Sequence, residues 1–395
     1  MSVLVVDVGT SGLRTSVVRA NGTIENYAYE AFAPSSPFPG LVEFDALAMR
    51  DAVLRVANIS LAAHGPVDGV GITNQRASTI VWDRGTGVPL GPALSWQDLR
   101  TVMECITARA EHGLILAPNQ TATKASWMLK NYPVADRSRV CIGTVDSWIA
   151  YVLSKGELHV TDFSNAAVTG LLASTSPSWS IQAMDLMGLD MSMMPTVVHS
   201  SGIIGHAHAL VGSPLIASIV GDQQASLIGQ GCIAPGQTKI TFGTGGMLDI
   251  FTGHKPPATA QRGPHGTFPI VVYGDAQGVS WGSEAIMLSA GTNIEWLRDD
   301  LQIIDTAAHS DDIAAQVTSS DGVVYVPALL GLGTPHWDYG ARGSLFGITR
   351  GTTRAHVVRA VLEGIAHRGA DLVEAAIGDT GLDIESLRVD GGMMM

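Results

Sequence analysis

The sequence predicts an α/β protein of two domains built on a repeated plan. Three observations carry that prediction. The chain has 395 residues, 46% of them hydrophobic and only 15% charged, enough to form two sizeable cores. Its opening, "VLVVDVGTSGLRTSVV", runs an apolar strand into Asp7 and then a loop of glycine and hydroxyls. Around residue 216 the pattern recurs: "LIASIVGDQQ" ends an apolar run on Gly221-Asp222, and "TFGTGG" places Gly243-Thr244-Gly245-Gly246 between two strand-like segments. The repetition predicts a duplicated architecture with a cleft between its halves. The boundary is set near residue 230, giving domains 1–230 and 231–395.

Residues 3–7 are rich in valine and leucine and predict a buried strand. "RTSVVRANGTIENYAYEAF" continues as a hairpin turning at Asn21-Gly22. "VDGVGITNQ" and "STIVWDRGTG" supply two more strands. "QDLRTVMECITARA" predicts a helix with Leu99, Val102, Met103, Ile106 and Ala110 on one face. Residues 124–154 mix a Trp-bearing helix, a strand and a second helix. In the second half, "SAGTNIEWLRDDLQII" is helical and "GVVYVPALLG" contains a strand. A long helix spans about 354–376, with Val358, Val361, Leu362 and Ile365 spaced for one face. "SLRVDGG" closes the chain as a strand entering a glycine loop.

The net charge of -13 argues against nucleic-acid binding, which needs a basic footprint. An anionic nucleotide can still be held by backbone N–H groups and one or two arginines. The three cysteines are widely separated, so neither a disulfide framework nor a thiolate metal site is expected. No basic leader precedes the first apolar run, and no run is long enough to span a bilayer, which predicts a cytoplasmic protein without a membrane partner. The twelve histidines show no metal-ligand spacing.

The loop after Asp7 has two readings. It can be an anion nest with Thr10 and Ser11 as hydroxyl donors, Asp7 holding a hydrated divalent metal. It can also be an ordinary hairpin whose turn Asp7 caps. There is no Walker sequence and no GxGxxG after the first strand. "GDQQ" offers Asp222 as a general base toward a hydroxyl, with Gln223 binding a neighbouring one, or Asp222 as a helix cap. Gln75 and Arg76 suit hydroxyl recognition and equally a solvated turn. Trp96 and Trp127 are placed against a sugar face or in a core.

Taken together, these segments resemble the FGGY carbohydrate kinases, within the wider superfamily of actin, hexokinase and the heat-shock chaperones. The motifs lie in order along nearly the whole chain: "DVGTSGLRTSVV", "GITNQRASTIVWDRGTGVPL", "VTDFSNA", "GDQQASLIGQ", "TFGTGG", "PALLGLGTPHWDYGARGSLFGITRG" and "LRVDGG". "TATKASWMLKN" and "GSLFGITRGTTRAHVVRAVLEG" resemble the two family signatures, and "GITNQR" points to the glycerol kinase branch.

The resemblance implies two ribonuclease H-like domains in the actin-like ATPase fold. It implies an ATP-dependent, Mg²⁺-requiring kinase for a polyol or sugar. Thr10, Ser11, Gly12 and Arg14 would bind phosphates, and Asp7 would hold the metal through water. Asp222 would be the base. Gln75, Arg76, Trp96, Asn119 and Gln223 would line the acceptor pocket with it. Gly243, Thr244 and Gly245 would hold the β- and γ-phosphates. Gly291, Glu295 and Gly392 would meet the nucleotide.

The chain departs from the glycerol kinases in having Ala77 after Arg76 in place of a glutamate. Asn119 stands for a tyrosine, Met247 for an aromatic and Glu295 for a glutamine. These changes leave a larger polyol or a ketose open as substrate. The family pattern extends about a hundred residues beyond the last strand, so truncation at the C-terminus is expected. It also leaves room for a homodimer. Two other readings share the phosphate loops: a nucleotide-switched binding module of the actin or chaperone type, and an inactive relative that only binds sugar.

Overall fold

The computed structural model describes residues 1–172, 178–257 and 262–394. The chain forms two compact units. The first comprises Met1–Ala225 with Val271–Val279, the second Ser226–Ile270 with Ser280–Met395.

The opening strand covers Ser2–Val8. Leu4, Val6 and Val8 on one face are fully buried, while Val3, Val5 and Asp7 on the other are half-buried, as the two-residue period of a strand requires. It pairs antiparallel with Gly12–Arg19, which pairs in turn with Ile24–Ala31. Gly22 takes φ +83° in the predicted Asn21-Gly22 turn. On its other side the opening strand runs parallel to Gly69–Asn74, followed by parallel Leu215–Gly221 and antiparallel Ser201–His206. This six-stranded sheet carries the helix Ala46–His64, whose Met49, Val53, Val56 and Leu61 are buried.

The second unit repeats part of that plan. Thr238–Phe242 and Gly246–Gly253 form an antiparallel hairpin, Gly278–Met287 pairs with its second strand, and Leu387–Asp390 runs parallel to its first. The same relations join the opening hairpin to Ile24–Ala31 and Gly69–Asn74 in the first unit. The long helix Arg354–Thr380 buries Val358, Val361, Ile365 and Leu372 against Ile240, Leu248, Ile250 and Met287 of this sheet. On the opposite face, Lys239 and Asp249 sit directly across from each other, both fully buried, and pair at 2.9 Å.

Two expectations are corrected. The helix predicted from residue 97 begins at Val102, and Met103 and Ile106 face outward, 66% and 53% exposed; Cys105 and Ala108 form its buried stripe instead. The small residues approach the core more closely than the larger apolar ones, which the spacing alone favoured. The second correction concerns the repeat. Asp222 follows a strand of the first unit's sheet, so it does not belong to the second copy; beside the second glycine hairpin it is the strand Leu387–Asp390 that ends on an acid, Asp390.

Candidate active site

In the first unit, parallel strands Gly69–Asn74 and Leu215–Gly221 end beside the loop that follows the opening strand. Ligand sites in open α/β sheets form at such strand ends, where side chains leave the sheet together. Gln75 and Arg76 follow the first of these strands and Asp222 follows the second.

Arg76 Nε lies 3.5 Å from Asp222 Oδ1, and the arginine side chain is only 9% exposed. Its approach depends on Gly221: a Cβ there would stand 2.7 Å from Arg76 Cδ. Asp222 starts the helix Asp222–Gly229 and accepts a hydrogen bond from Gln223 N at 2.8 Å. The half-buried Asp222 carboxylate thus meets both the start of its own helix and the Arg76 guanidinium.

Asp7 pairs with Arg14 Nε at 2.8 Å from the facing position of the hairpin. Burial pushes the Asp7 carboxyl up to about 6; Arg14 opposes that shift and the nearby Asp222 charge adds to it. The loop between them is closed by Gly9 N donating to Gly12 O, leaving Ser11 exposed at its tip. Gln75 Nε2 donates to Gly9 O at 3.0 Å, and Trp96 Nε1 donates to Thr10 Oγ1 at 2.9 Å. Gln75 Oε1 accepts from Ser78 Oγ, which accepts in turn from Trp96 N. The structure thus brings together Asp7, Thr10, Gly12, Arg14, Gln75, Arg76, Trp96, Asp222 and Gln223.

Asn119 joins this group through Lys124. That fully buried ammonium donates to the carbonyls of Ala77, Ser95 and Asn119 at 2.9–3.0 Å. Burial pushes Lys124 down to about 7. Ala77 is held with φ +62°, and Asn119 Oδ1 is buried without a hydrogen-bond partner. Trp127 goes elsewhere: Arg100 stacks on its ring at 4.6 Å, and Arg100 is tied to Asp98 and Glu43.

In the second unit, Gly243 N donates to Gly245 O, and Thr244 O accepts from Ala290 N. Gly291 N donates to Gly243 O at 2.8 Å, and a Cβ on Gly291 would stand 2.6 Å from that oxygen. Glu295 is exposed one turn along the Gly291–Glu295 helix. Met393 Cγ, beside Gly392, lies 3.7 Å from where the Gly291 Cβ would be. Gly243, Thr244, Gly245 and Gly291 therefore converge, with Met393, the neighbour of Gly392, beside them.

Comparison with known proteins decides what this arrangement belongs to. The model for the N-terminal domain of the FGGY family of carbohydrate kinases matches residues 2–229, and that for the C-terminal domain matches 238–395. The chain belongs to the FGGY family of carbohydrate kinases. This FGGY kinase is 38% identical over 413 residues to a glycerol kinase from Oceanobacillus iheyensis, covering 99% of the chain and 81% of that protein. It is 40% identical over 409 residues to one from Burkholderia multivorans, with 99% and 81% coverage. Its fold matches the crystal structure of Plasmodium falciparum glycerol kinase with ADP at TM-score 0.87 and 28% identity, covering 100% of this chain and 82% of that one. A xylulose kinase from Lactobacillus acidophilus matches at TM-score 0.83 and 20% identity, with 100% and 81% coverage, a likeness of fold alone. The FGGY kinase is accordingly an enzyme of two α/β domains, each with a mixed sheet. Among the described residues, no helix is long and apolar enough to cross a membrane.

Sequence reasoning missed the residues behind these loops. Asn74, Ser164, Asn165 and Ser200 are fully buried and hydrogen-bonded toward Gly9 and Gly221. For Ser164 and Asn165 the signal was present in "VTDFSNA", a buried segment with four polar residues in seven.

Proposed function

We propose that this kinase transfers the γ-phosphoryl group of ATP to a hydroxyl of a small polyol, glycerol or a close relative, with Asp222 as general base. The observation that carries this reading is the Arg76–Asp222 pair at two parallel strand ends, beside a phosphate-type loop. Arg76 fixes the carboxylate and offers donors to acceptor hydroxyls. Asp222 takes the hydroxyl proton as the oxygen attacks phosphorus. Gln75, Trp96, Asn119 and Gln223 complete the acceptor pocket. Thr10, Ser11, Gly12 and Arg14 bind phosphate oxygens, as do Gly243, Thr244 and Gly245. Gly291, Glu295 and Gly392 bind the nucleoside.

The residues present fit a Mg²⁺ ion. Asp7 is a largely buried carboxylate that Asp222 further disfavours as an anion, so a cation would relieve both. No cluster of three ligating side chains occurs among the described residues, which suits an ion held by one or two carboxylates, water and phosphate. When bound, such an ion neutralises phosphate charge.

Ala77 supplies no carboxylate beside Arg76, and Asn119 supplies an amide with an open acceptor. Both set this pocket apart from those of the glycerol kinases, so larger or differently hydroxylated polyols and ketoses stand beside glycerol as acceptors to be tested. A coupled ADP-release assay over glycerol, tetritols, pentitols and ketopentoses tests the substrate. Asp222→Asn tests the base: turnover should fall by about 10²–10⁴-fold with acceptor binding retained. Turnover comparable to wild type would overturn the assignment.

A further inference from the structure

We propose that Asp162 is a positioning residue that sets both catalytic strand ends of the first unit through two separate hydrogen-bonded arms. The proposal rests on the reading of Asp222 as base and of the Gly9–Gly12 loop as phosphate-binding.

Asp162 is fully buried, and what offsets the cost of burying it is a shell of donors. Oδ1 accepts from Ser164 Oγ at 2.8 Å, Asn165 N at 2.9 Å and Asn165 Nδ2 at 2.9 Å. Oδ2 accepts from Ser164 N at 3.0 Å and Ser200 Oγ at 2.7 Å. All five bonds need an acceptor, and a carboxylate is the only side chain here that offers acceptors on both branches without a donor. Each hydroxyl or amide is thereby oriented, so its remaining capacity points outward in a fixed direction.

The first arm leads to the base. With its proton committed to Asp162, Ser164 Oγ accepts from Gly221 N at 2.9 Å, the residue before Asp222. Ser200 reinforces this strand: its carbonyl accepts from Ile219 N and from Ser218 Oγ. The second arm leads to the phosphate loop. Asn165 and Asn74 exchange amide hydrogen bonds, at 2.9 and 3.3 Å. Asn74 Nδ2 also donates to Gln75 O, and Gln75 Nε2 donates to Gly9 O. One buried carboxylate therefore fixes the peptide before Asp222 and, through two amides, the loop that carries Thr10. Of the linking side chains, only Gln75 is itself assigned to the acceptor pocket.

The test separates the arms kinetically, with ATP and the fastest acceptor of the panel above. Ser164→Ala cuts only the Asp222 arm and should lower kcat about tenfold with KM for ATP nearly unchanged, because a small misplacement of the base acts on the reacting geometry. Asn74→Ser cuts only the loop arm and should raise KM for ATP roughly fivefold with a smaller effect on kcat. Asp162→Asn should show both changes, and adding Ser164→Ala to it should cost little more, since the two share one path.

Thermal melts of each variant report folding separately. If Asp162→Asn does not fold, the two peripheral variants still decide. The proposal is overturned if they lower melting temperature but leave kcat and KM at wild-type values. Equal changes in the same kinetic parameter from both arms would overturn it as well. Asp222→Asn runs alongside: full turnover in that variant removes the base assignment, while the Ser164 and Asn74 results still report on the arms.

Discussion

Trp96 Nε1 donates to Thr10 Oγ1 across 2.9 Å, which ties a side chain assigned to the acceptor pocket to one assigned to phosphate. Trp96→Phe keeps the aromatic surface and removes the donor. The Thr10 hydroxyl then loses its orientation, and KM for ATP should rise about three- to tenfold, the equivalent of roughly 1 kcal/mol. Steady-state kinetics with both substrates varied checks this, and an effect on acceptor KM alone contradicts it.

The raised carboxyl of Asp7 predicts a pH-dependent activity. That carboxyl is raised to about 6, and the ionised form is the one that serves a cation. kcat/KM should therefore climb as pH rises through about 6. Arg14 is the group holding the value down, so Arg14→Met should move this limb to higher pH. Raising Mg²⁺ should move it lower, because a bound cation favours the anion. A limb indifferent to both changes would exclude Asp7 as its source.

Asp146 carries a prediction for stability. It is fully buried, and burial, reinforced by Asp162, raises its carboxyl to about 7. The Thr144 and Thr161 hydroxyls donate to it. A folded value above the unfolded one means the proton is bound more tightly in the native state. The resulting stability is full below about pH 4 and lost as pH rises through about 7. Asp146→Asn mimics the protonated acid and should stabilise the fold by roughly 1–3 kcal/mol at pH 8, with little effect near pH 4. Thermal melts at the two pH values decide it.

Lys124 holds three carbonyls together, those of Ala77, Ser95 and Asn119. Lys124→Met takes a donor from each; Ser95 O keeps Asp98 N and Ala77 O keeps the Thr79 and Thr121 hydroxyls, so the loss falls chiefly on Asn119 O, at a cost of about 1–3 kcal/mol. Melting temperature should fall. In the protein that remains folded, KM for the acceptor should rise more than KM for ATP, because these carbonyls belong to residues beside Arg76, Trp96 and the Asn119 side chain. Equal changes in both would show that the lysine is not specific to the acceptor side.

Much of the sheet was legible in the sequence because valine-rich runs and turn residues announce it locally. Asn21-Gly22 and the run into Asp7 lie where local chemistry puts them. The helix face at Met103 and Ile106 was misread because spacing reports an apolar stripe without reporting what covers it. The placement of Asp222 was harder still. Which sheet a strand joins is fixed by pairings such as Leu215–Gly221 with Gly69–Asn74, almost 150 residues apart in sequence. The Asp162 network was legible only in part: "VTDFSNA" carries Asp162, Ser164 and Asn165, whereas Asn74 and Ser200 are ordinary polar residues until the fold buries them beside it.

The Lys239–Asp249 pair has a consequence for assembly of the second unit. The two residues face each other across adjacent strands, on the face opposite Ile240, Leu248 and Ile250. A slip of one residue during pairing would turn a charge toward the aliphatic layer and an isoleucine away from it. It would also strand each charge without its partner, at a cost of about 3–5 kcal/mol for a broken buried pair. The ion pair thus acts as a key for strand alignment, favouring the native register of the hairpin over a slipped one. The glycine loop between the two strands inherits its place from that selection.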